Sequence, residues 1–444
     1  MNREILSLAV PNVVSNITVP LLSTVDTLLM GRLSAAHIGA VGLGAMIFNF
    51  IYWSFGFLRM GTTGITAQAY GKNDPSAMML TLGRSMLIAF VLAALVIASQ
   101  YPIGEMSWYL MNVQEGQQDL VRTYFYIRIW AAPATLGLYA LLGWFFGMQN
   151  AIVPLGLTVL INVVNMLLSY YFVQFRGMEV AGVAYGTVIA QYVGFFAAII
   201  IFFLSYSDLW SNFNRKLWLH WGAFKKFLQI NADIFLRTIF LTLAYGYFYS
   251  QSSANGELAL AANVILLNFL HWMSYGIDGF AYASESLVGK YAGAQDPPKL
   301  KLAIRLTFVW GMGLAFLYSL VYGFLGYPIL AIFTNQVDVI EATIPFLFWM
   351  AIFPLLSAPC YLWDGVFVGL TASKAMLYSM FLAFVLYIIT SLSLKEVWGN
   401  HGLWAALLIF MISRGAIQQW LFGRMNLERK YGKPSHTFVE KNKL

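Results

Sequence analysis

The chain has 444 residues, 60% of them hydrophobic and only 10% charged, with a mean hydropathy of +0.70. A soluble globule is excluded, because its charged share is about 25%; a membrane β-barrel is excluded, because apolar runs of about twenty residues replace its alternating segments of about ten. The net charge of +7 reads as the Lys/Arg bias of cytoplasmic loops plus a basic tail, and no nucleic-acid partner is expected, since no binding module or charge stripe accompanies it.

In chain order, twelve spans are predicted, at residues 5–29, 37–59, 77–100, 122–146, 152–174, 180–204, 226–250, 257–283, 302–325, 341–368, 373–394 and 402–422. The fold class expected is an all-α polytopic membrane protein. The first span is longer than a signal-peptide core and lacks a small-residue cleavage pattern, so it reads as retained. It carries Pro11, Pro20 and one carboxylate, Asp26. A charge in hydrocarbon costs roughly 3 kcal/mol or more, so an intramembrane acid points to function. A proline removes a backbone hydrogen bond and leaves a weak point in the helix. A titratable acid one to two turns beyond Pro20 therefore suggests a proton-dependent bend.

With a cytoplasmic N-terminus, the inner segments hold Arg3, Lys72, Arg84, Arg215, Lys216, Lys225, Lys226, Lys290, Lys299, Lys301, Arg305 and Lys374, and the tail adds more. The outer loops hold little beyond Arg32, Arg122, Arg176 and Lys395. Both termini are therefore placed in the cytoplasm. The basic stretch 207–224 reads as a linker along the membrane surface. It separates a six-helix lobe at 1–206 from a second at 225–425, followed by a basic tail at 426–444.

The two halves repeat. Asn49-Phe50 can be laid on Asn268-Phe269, Gly71 to Pro75 on Gly293 to Pro297, and Gly143 and Gly147 on Gly365 and Gly369, with Asp26 on Tyr245. Six spans per half insert both halves the same way up. The repeat is then parallel, about an axis along the membrane normal, as in secondary transporters.

Polar residues inside the spans form two groups. In the first half, Asn162, Asn165 and Ser169 fall at i, i+3, i+7 on one face of span five. Thr187 follows on span six, where glycines allow close helix approach. With Asp26 they make a candidate proton or monovalent-cation site. In the second half, His271, Asp278 and Glu285 share a face of span eight, and Asp364 lies mid-span in span ten; they are a candidate substrate site. Asp233 and Arg237, at i, i+4, and Arg414, facing Asp364 or Asp278, read as structural ion pairs. His271 reads as a core histidine. No metal motif, nucleotide-binding loop or channel filter is present. Cys360 is the only cysteine, so no cofactor or metal is expected. An integral-membrane transferase is disfavoured for the same reason.

These stretches resemble the multidrug and toxic compound extrusion (MATE) transporters, in particular their DinF-like branch. The resemblance is carried by ProLeuLeuSerThrValAspThrLeuLeuMetGlyArgLeu (from Pro20), LeuArgMetGlyThrThrGlyIleThrAlaGlnAlaTyrGly (from Leu58) and LeuLeuGlyTrpPhePheGlyMetGln (from Leu141). The second half adds AspGlyPheAlaTyrAlaSerGluSer (from Asp278) and TyrLeuTrpAspGlyValPheValGly (from Tyr361). The resemblance implies two six-helix lobes in a V and export of cationic amphipathic compounds against proton or sodium flow from a bacterial cytoplasmic membrane. It also implies Asp26 as the coupling-ion site with Asn165 beside it, Pro20 as the bend, and Thr187 as the family's span-six threonine. Many relatives carry a second acid four residues after the asparagine; here that residue is Ser169. One acid suits a proton as coupling ion, while sodium on the same scaffold and a lipid-linked-substrate flippase stand as alternatives. A monomer is expected.

Overall fold

A computed structural model describes the backbone of residues 1–31, 34–111, 113 and 115–432; the side chains of residues 19–31, 35, 115, 215 and 429 lie outside the described residues. The described chain is helical. In order, the helices are α1 (Asn2–Gly31), α2 (Ala35–Ser54), α3 (Phe57–Gly71), α4 (Pro75–Ala98), α5 (Gln100–Leu110), α6 (Glu115–Arg128), α7 (Ala132–Gly147), α8 (Ile152–Gln174) and α9 (Glu179–Trp210). There follow α10 (Arg215–Trp218), α11 (Trp221–Ala254), α12 (Glu257–Gly293), α13 (Pro297–Phe333), α14 (Val337–Thr343), α15 (Leu347–Gly369), α16 (Ser373–Trp398), α17 (Asn400–Gly423) and α18 (Leu427–Tyr431).

Among the described residues, eleven helical segments are long and apolar enough to cross a membrane. They correspond in order to the second through twelfth predicted spans, and α1 holds the first. The second span is broken at Phe55-Gly56, giving α2 and α3. α12 and α13 have 37 residues each, about 55 Å at 1.5 Å per residue, and so outrun a hydrocarbon core of about 30 Å. The eighth span, predicted to end at 283, continues to Gly293 because Ser284, Glu285 and Ser286 are buried and keep the helix within protein.

The chain divides into two compact units. One comprises Val14–Thr66 and Pro75–Leu228; the other comprises Met1–Val13, Ala67–Asp74 and Gln229–Leu444. In the first unit the core is aromatic: Trp144, Phe145, Phe195 and Phe202 pack with Met79, Leu138 and Leu157. The Trp144 indole donates to the carbonyl of Met78 at 3.0 Å, which satisfies the polar end of a fully buried ring. In the second unit, Phe248 and Phe353 pack edge-on against Trp404, whose indole donates to Asn263 at 2.8 Å.

The repeat is visible in backbone detail. Left-handed residues recur in pairs, each member 222 residues after its partner: Asn73 and Gln295, Gln149 and Thr371, Gly177 and Gly399. Each unit also has the same glycine-mediated crossing. A Cβ on Gly143 would overlap the carbonyl of Arg59, and one on Gly365 would overlap that of Ala281. This offset corrects the sequence alignment within the second span, where Asn49 corresponds to His271 rather than Asn268. Carried back to α1, it sets Asp26 against Phe248 rather than Tyr245, again without an acid. A slip of three residues is nearly one helical turn and leaves the apolar face unchanged, so hydrophobic pattern does not detect it.

The second unit includes two segments from the first half of the sequence. Glu4 accepts from Lys290 Nζ at 2.9 Å and from the Tyr291 hydroxyl at 3.1 Å. Gln68 donates to the carbonyl of Gly369 at 2.9 Å and to Thr371 Oγ1 at 3.2 Å. Burial raises the Glu4 carboxyl, but the bonded Lys290 ammonium and the Tyr291 hydroxyl outweigh it and hold the group below its ordinary value. A lowered acid contributes fully above the ordinary carboxylate range and loses that contribution as pH falls through the lowered value. Amide exchange over residues 5–10, corrected for intrinsic rates, is therefore expected to stay slow from neutral pH down to the ordinary carboxylate range and to quicken as pH falls through the lowered value. In Glu4→Gln the exchange should lose this dependence; a flat wild-type profile would contradict the assignment.

Candidate coupling site in the first unit

The site is built where α1 beyond Val14 lies along α8, and α8 lies along α9. Ser15 donates to Thr158 at 3.0 Å. Four residues on, the Asn162 amide donates to Thr18 Oγ1 at 3.1 Å, and its approach to the Thr18 carbonyl is 3.4 Å. These contacts advance together along both helices, so α1 and α8 run in the same direction. They leave Asn162 on the α1 backbone two residues before Pro20. The side chains of Pro20 and Asp26 lie outside the described residues.

One turn further along α8, the Asn165 amide donates to Thr187 Oγ1 at 2.8 Å, and Thr187 donates to the carbonyl of Val183 at 3.0 Å. Two of the candidate residues named from the sequence, Asn165 and Thr187, are thus directly bonded. Asn165 and Ser169 are fully buried. Among the described residues, Asn165 Oδ1 and Ser169 Oγ have no hydrogen-bond partner. Ser169 faces α9 at Gly186, where a Cβ would come within 2.7 Å of its hydroxyl. A small residue on α9 therefore brings the two helices close enough for their polar groups to meet. A buried acceptor without a donor costs about 1–3 kcal/mol, so among the described residues the Asn165 oxygen is an unmet acceptor in this seam.

The second-half residues fall into a different arrangement. Asp364 is buried between two guanidiniums: Arg237 bonds its Oδ2, Arg414 bonds the same oxygen at 2.7 Å, and Gln418 donates to Oδ1 at 2.7 Å. Arg237 therefore pairs with Asp364 and not with Asp233, its i−4 neighbour; Asp233 accepts instead from Ser373 at 2.7 Å. Asp278, half-buried on α12, lies close enough for its charge to act on Cys360 and Tyr361 beside this cluster. Glu285 is buried where α12 meets α15, its carbonyl against Gly369. His271 stacks at a tilt on Tyr245, with centroids 6.3 Å apart. His271, Asp278 and Glu285 thus meet three different surroundings along one helix. Sequence reading missed Gln418 and the Gln68 contacts, since an isolated glutamine gives no spacing signal.

No group of three or more potential metal ligands occurs among the described residues. The MatE family profile matches twice, over residues 11–171 and 234–392, once in each half. The chain is 35% identical to DNA damage-inducible protein F of Escherichia coli (strain K12), covering 93% of this chain and 90% of that protein. Its fold matches a crystal structure described as MATE in the bent conformation, with a TM-score of 0.87, 18% identity and coverage of 96% and 95% of the two chains. The structure described as MATE in the straight conformation matches with a TM-score of 0.86, 18% identity and coverage of 97% and 96%. The integral-membrane transferase reading falls with these matches, because the relatives are transporters rather than enzymes. Two copies of one family signature on a helical, multi-pass membrane scaffold settle the affiliation: the chain belongs to the MatE family of multidrug and toxic compound extrusion transporters.

Proposed function

We propose that this protein exports cationic amphipathic compounds from the cytoplasm by antiport with protons, and that Asp26 carries the proton. The observation that carries this reading is the polar seam of α1, α8 and α9, whose Asn165 oxygen has no partner among the described residues. A protonated carboxyl is a donor; a carboxylate is not. The register of Ser15–Thr158 and Thr18–Asn162 along helices that run the same way supports a position for Asp26 near the level of Ser169, one turn from Asn165. Ionised Asp26 favours a polar, hydrated pocket and an organic cation. When protonated from outside, it gains a hydrogen bond to the seam and no longer attracts the cation.

Pro20 lies between this acid and the anchored part of α1. Asn162 holds the α1 backbone at Thr18, and Pro20 supplies the weak point beyond it. The bent and straight structures of relatives support a bend as the motion. Ser169 in place of a second acid leaves one formal charge to neutralise, which one proton does. Sodium would keep its charge beside a single carboxylate and lose much of its hydration. The distribution of Lys and Arg supports a cytoplasmic-membrane location with both termini inside, and the protein is read as a monomer.

The test is purified protein in sodium-free liposomes with an inward-acid gradient. Adding an organic cation should dissipate the gradient, and sodium should leave the rate unchanged. A strict sodium requirement would overturn proton coupling.

A further inference from the structure

We propose that the groove between α11 and α16 is a binding site for one phospholipid with a primary-amine headgroup, phosphatidylethanolamine. The groove has a volume of about 470 Å³. Its walls are Leu236 and Phe240 on α11 and Leu377 and Phe381 on α16. Its far end is closed by aromatic contact, with Phe240 edge-on to Phe381 at 5.4 Å. Both helices are membrane spans, so the apolar walls face acyl chains.

The other end is charged with both signs. Asp233 and Lys374 line it together, and no ion pair joins them. Asp233 holds Ser373 at 2.7 Å, which fixes the carboxylate at the height where α16 begins. Lys374 is exposed and makes no hydrogen bond or ion pair among the described residues. The turn just before it is fastened at Leu370, whose carbonyl accepts from the Tyr431 hydroxyl at 3.2 Å. The polar end of the groove thus sits at the membrane face where the C-terminal segment docks.

An acid and a base at the mouth of an apolar groove complement a zwitterion on an acyl tail. Lys374 suits the lipid phosphate and Asp233 the ammonium. A primary ammonium donates hydrogen bonds to the carboxylate, whereas a trimethylated one offers no N–H. An anionic headgroup would satisfy Lys374 but leave Asp233 facing a like charge.

The experiment is native mass spectrometry of the purified full chain with an equimolar mixture of phosphatidylethanolamine, phosphatidylcholine and phosphatidylglycerol of identical acyl chains. The amine lipid should be retained about tenfold over the choline lipid, the worth of one charge-assisted hydrogen bond. Asp233→Asn and Lys374→Gln should each lower its retention by a similar factor. Asp233→Asn keeps an oxygen for Ser373, and Leu236→Trp, which fills the groove while leaving both charges in place, should also expel the lipid. Equal retention of all three lipids overturns the site. Amine-lipid retention that survives the variants overturns its placement here, and preference for phosphatidylglycerol overturns the zwitterion.

Discussion

Replacing Asp364 by alanine is expected to destabilise the protein by about 3–5 kcal/mol, the cost of removing one partner from a buried ion cluster. One carboxylate oxygen serves both Arg237 and Arg414, and the other serves Gln418. Its loss leaves two guanidiniums, both less than a tenth exposed, without the acid between them. The midpoint of thermal unfolding in detergent should fall on the order of 10 °C. Pairing the change with Arg237→Met and Arg414→Met should recover much of the loss, because an apolar replacement of the whole cluster removes the uncompensated charge. An unchanged midpoint in Asp364→Ala would show that the cluster is not a structural clamp. The clamp also bears on transport: Asp364 is already neutralised from within the protein and is poorly placed to exchange a proton or a drug.

Asp26→Asn is expected to abolish drug resistance in cells while the protein reaches the membrane in full amount. Asparagine has nearly the same shape, so the helix and its packing are kept. It carries no charge for an organic cation and takes up no proton, so both halves of the exchange fail together. Resistance should fall to that of cells lacking the transporter, measured as the minimal inhibitory concentration of a cationic dye and normalised to transporter in isolated membranes. Wild-type resistance in that variant would place the coupling acid elsewhere, with Asp278 the first alternative.

Much of the scaffold was legible in the sequence because a bilayer imposes simple rules. Runs of about twenty apolar residues marked the spans, and Asp-Pro turns and paired glycines marked the repeat. The register of the second span was not legible, because a three-residue slip between Asn268 and His271 keeps the same face buried. Partners across helices were equally hidden. Asp233 and Arg237 have helix spacing for a pair, yet Arg237 turns to Asp364, 127 residues away, where the acid is buried and shared. In the first unit, spacing put Asn162, Asn165 and Ser169 on one face, and Thr187 stood out on the following span. In the structure Asn162 bonds α1, Asn165 bonds α9, and Ser169 sits at the helix crossing by Gly186. The ties from Glu4 to Lys290 and from Gln68 to Gly369 join distant segments and left no pattern to read.

If drug and proton compete for Asp26, binding of an organic cation must release a proton. That release can be measured with the purified transporter in weakly buffered detergent solution, at a pH near the midpoint of Asp26 titration found by varying pH. The wild-type protein should release up to about one proton per cation bound, and Asp26→Asn should release none. Equal proton release from the two proteins would contradict competition at Asp26.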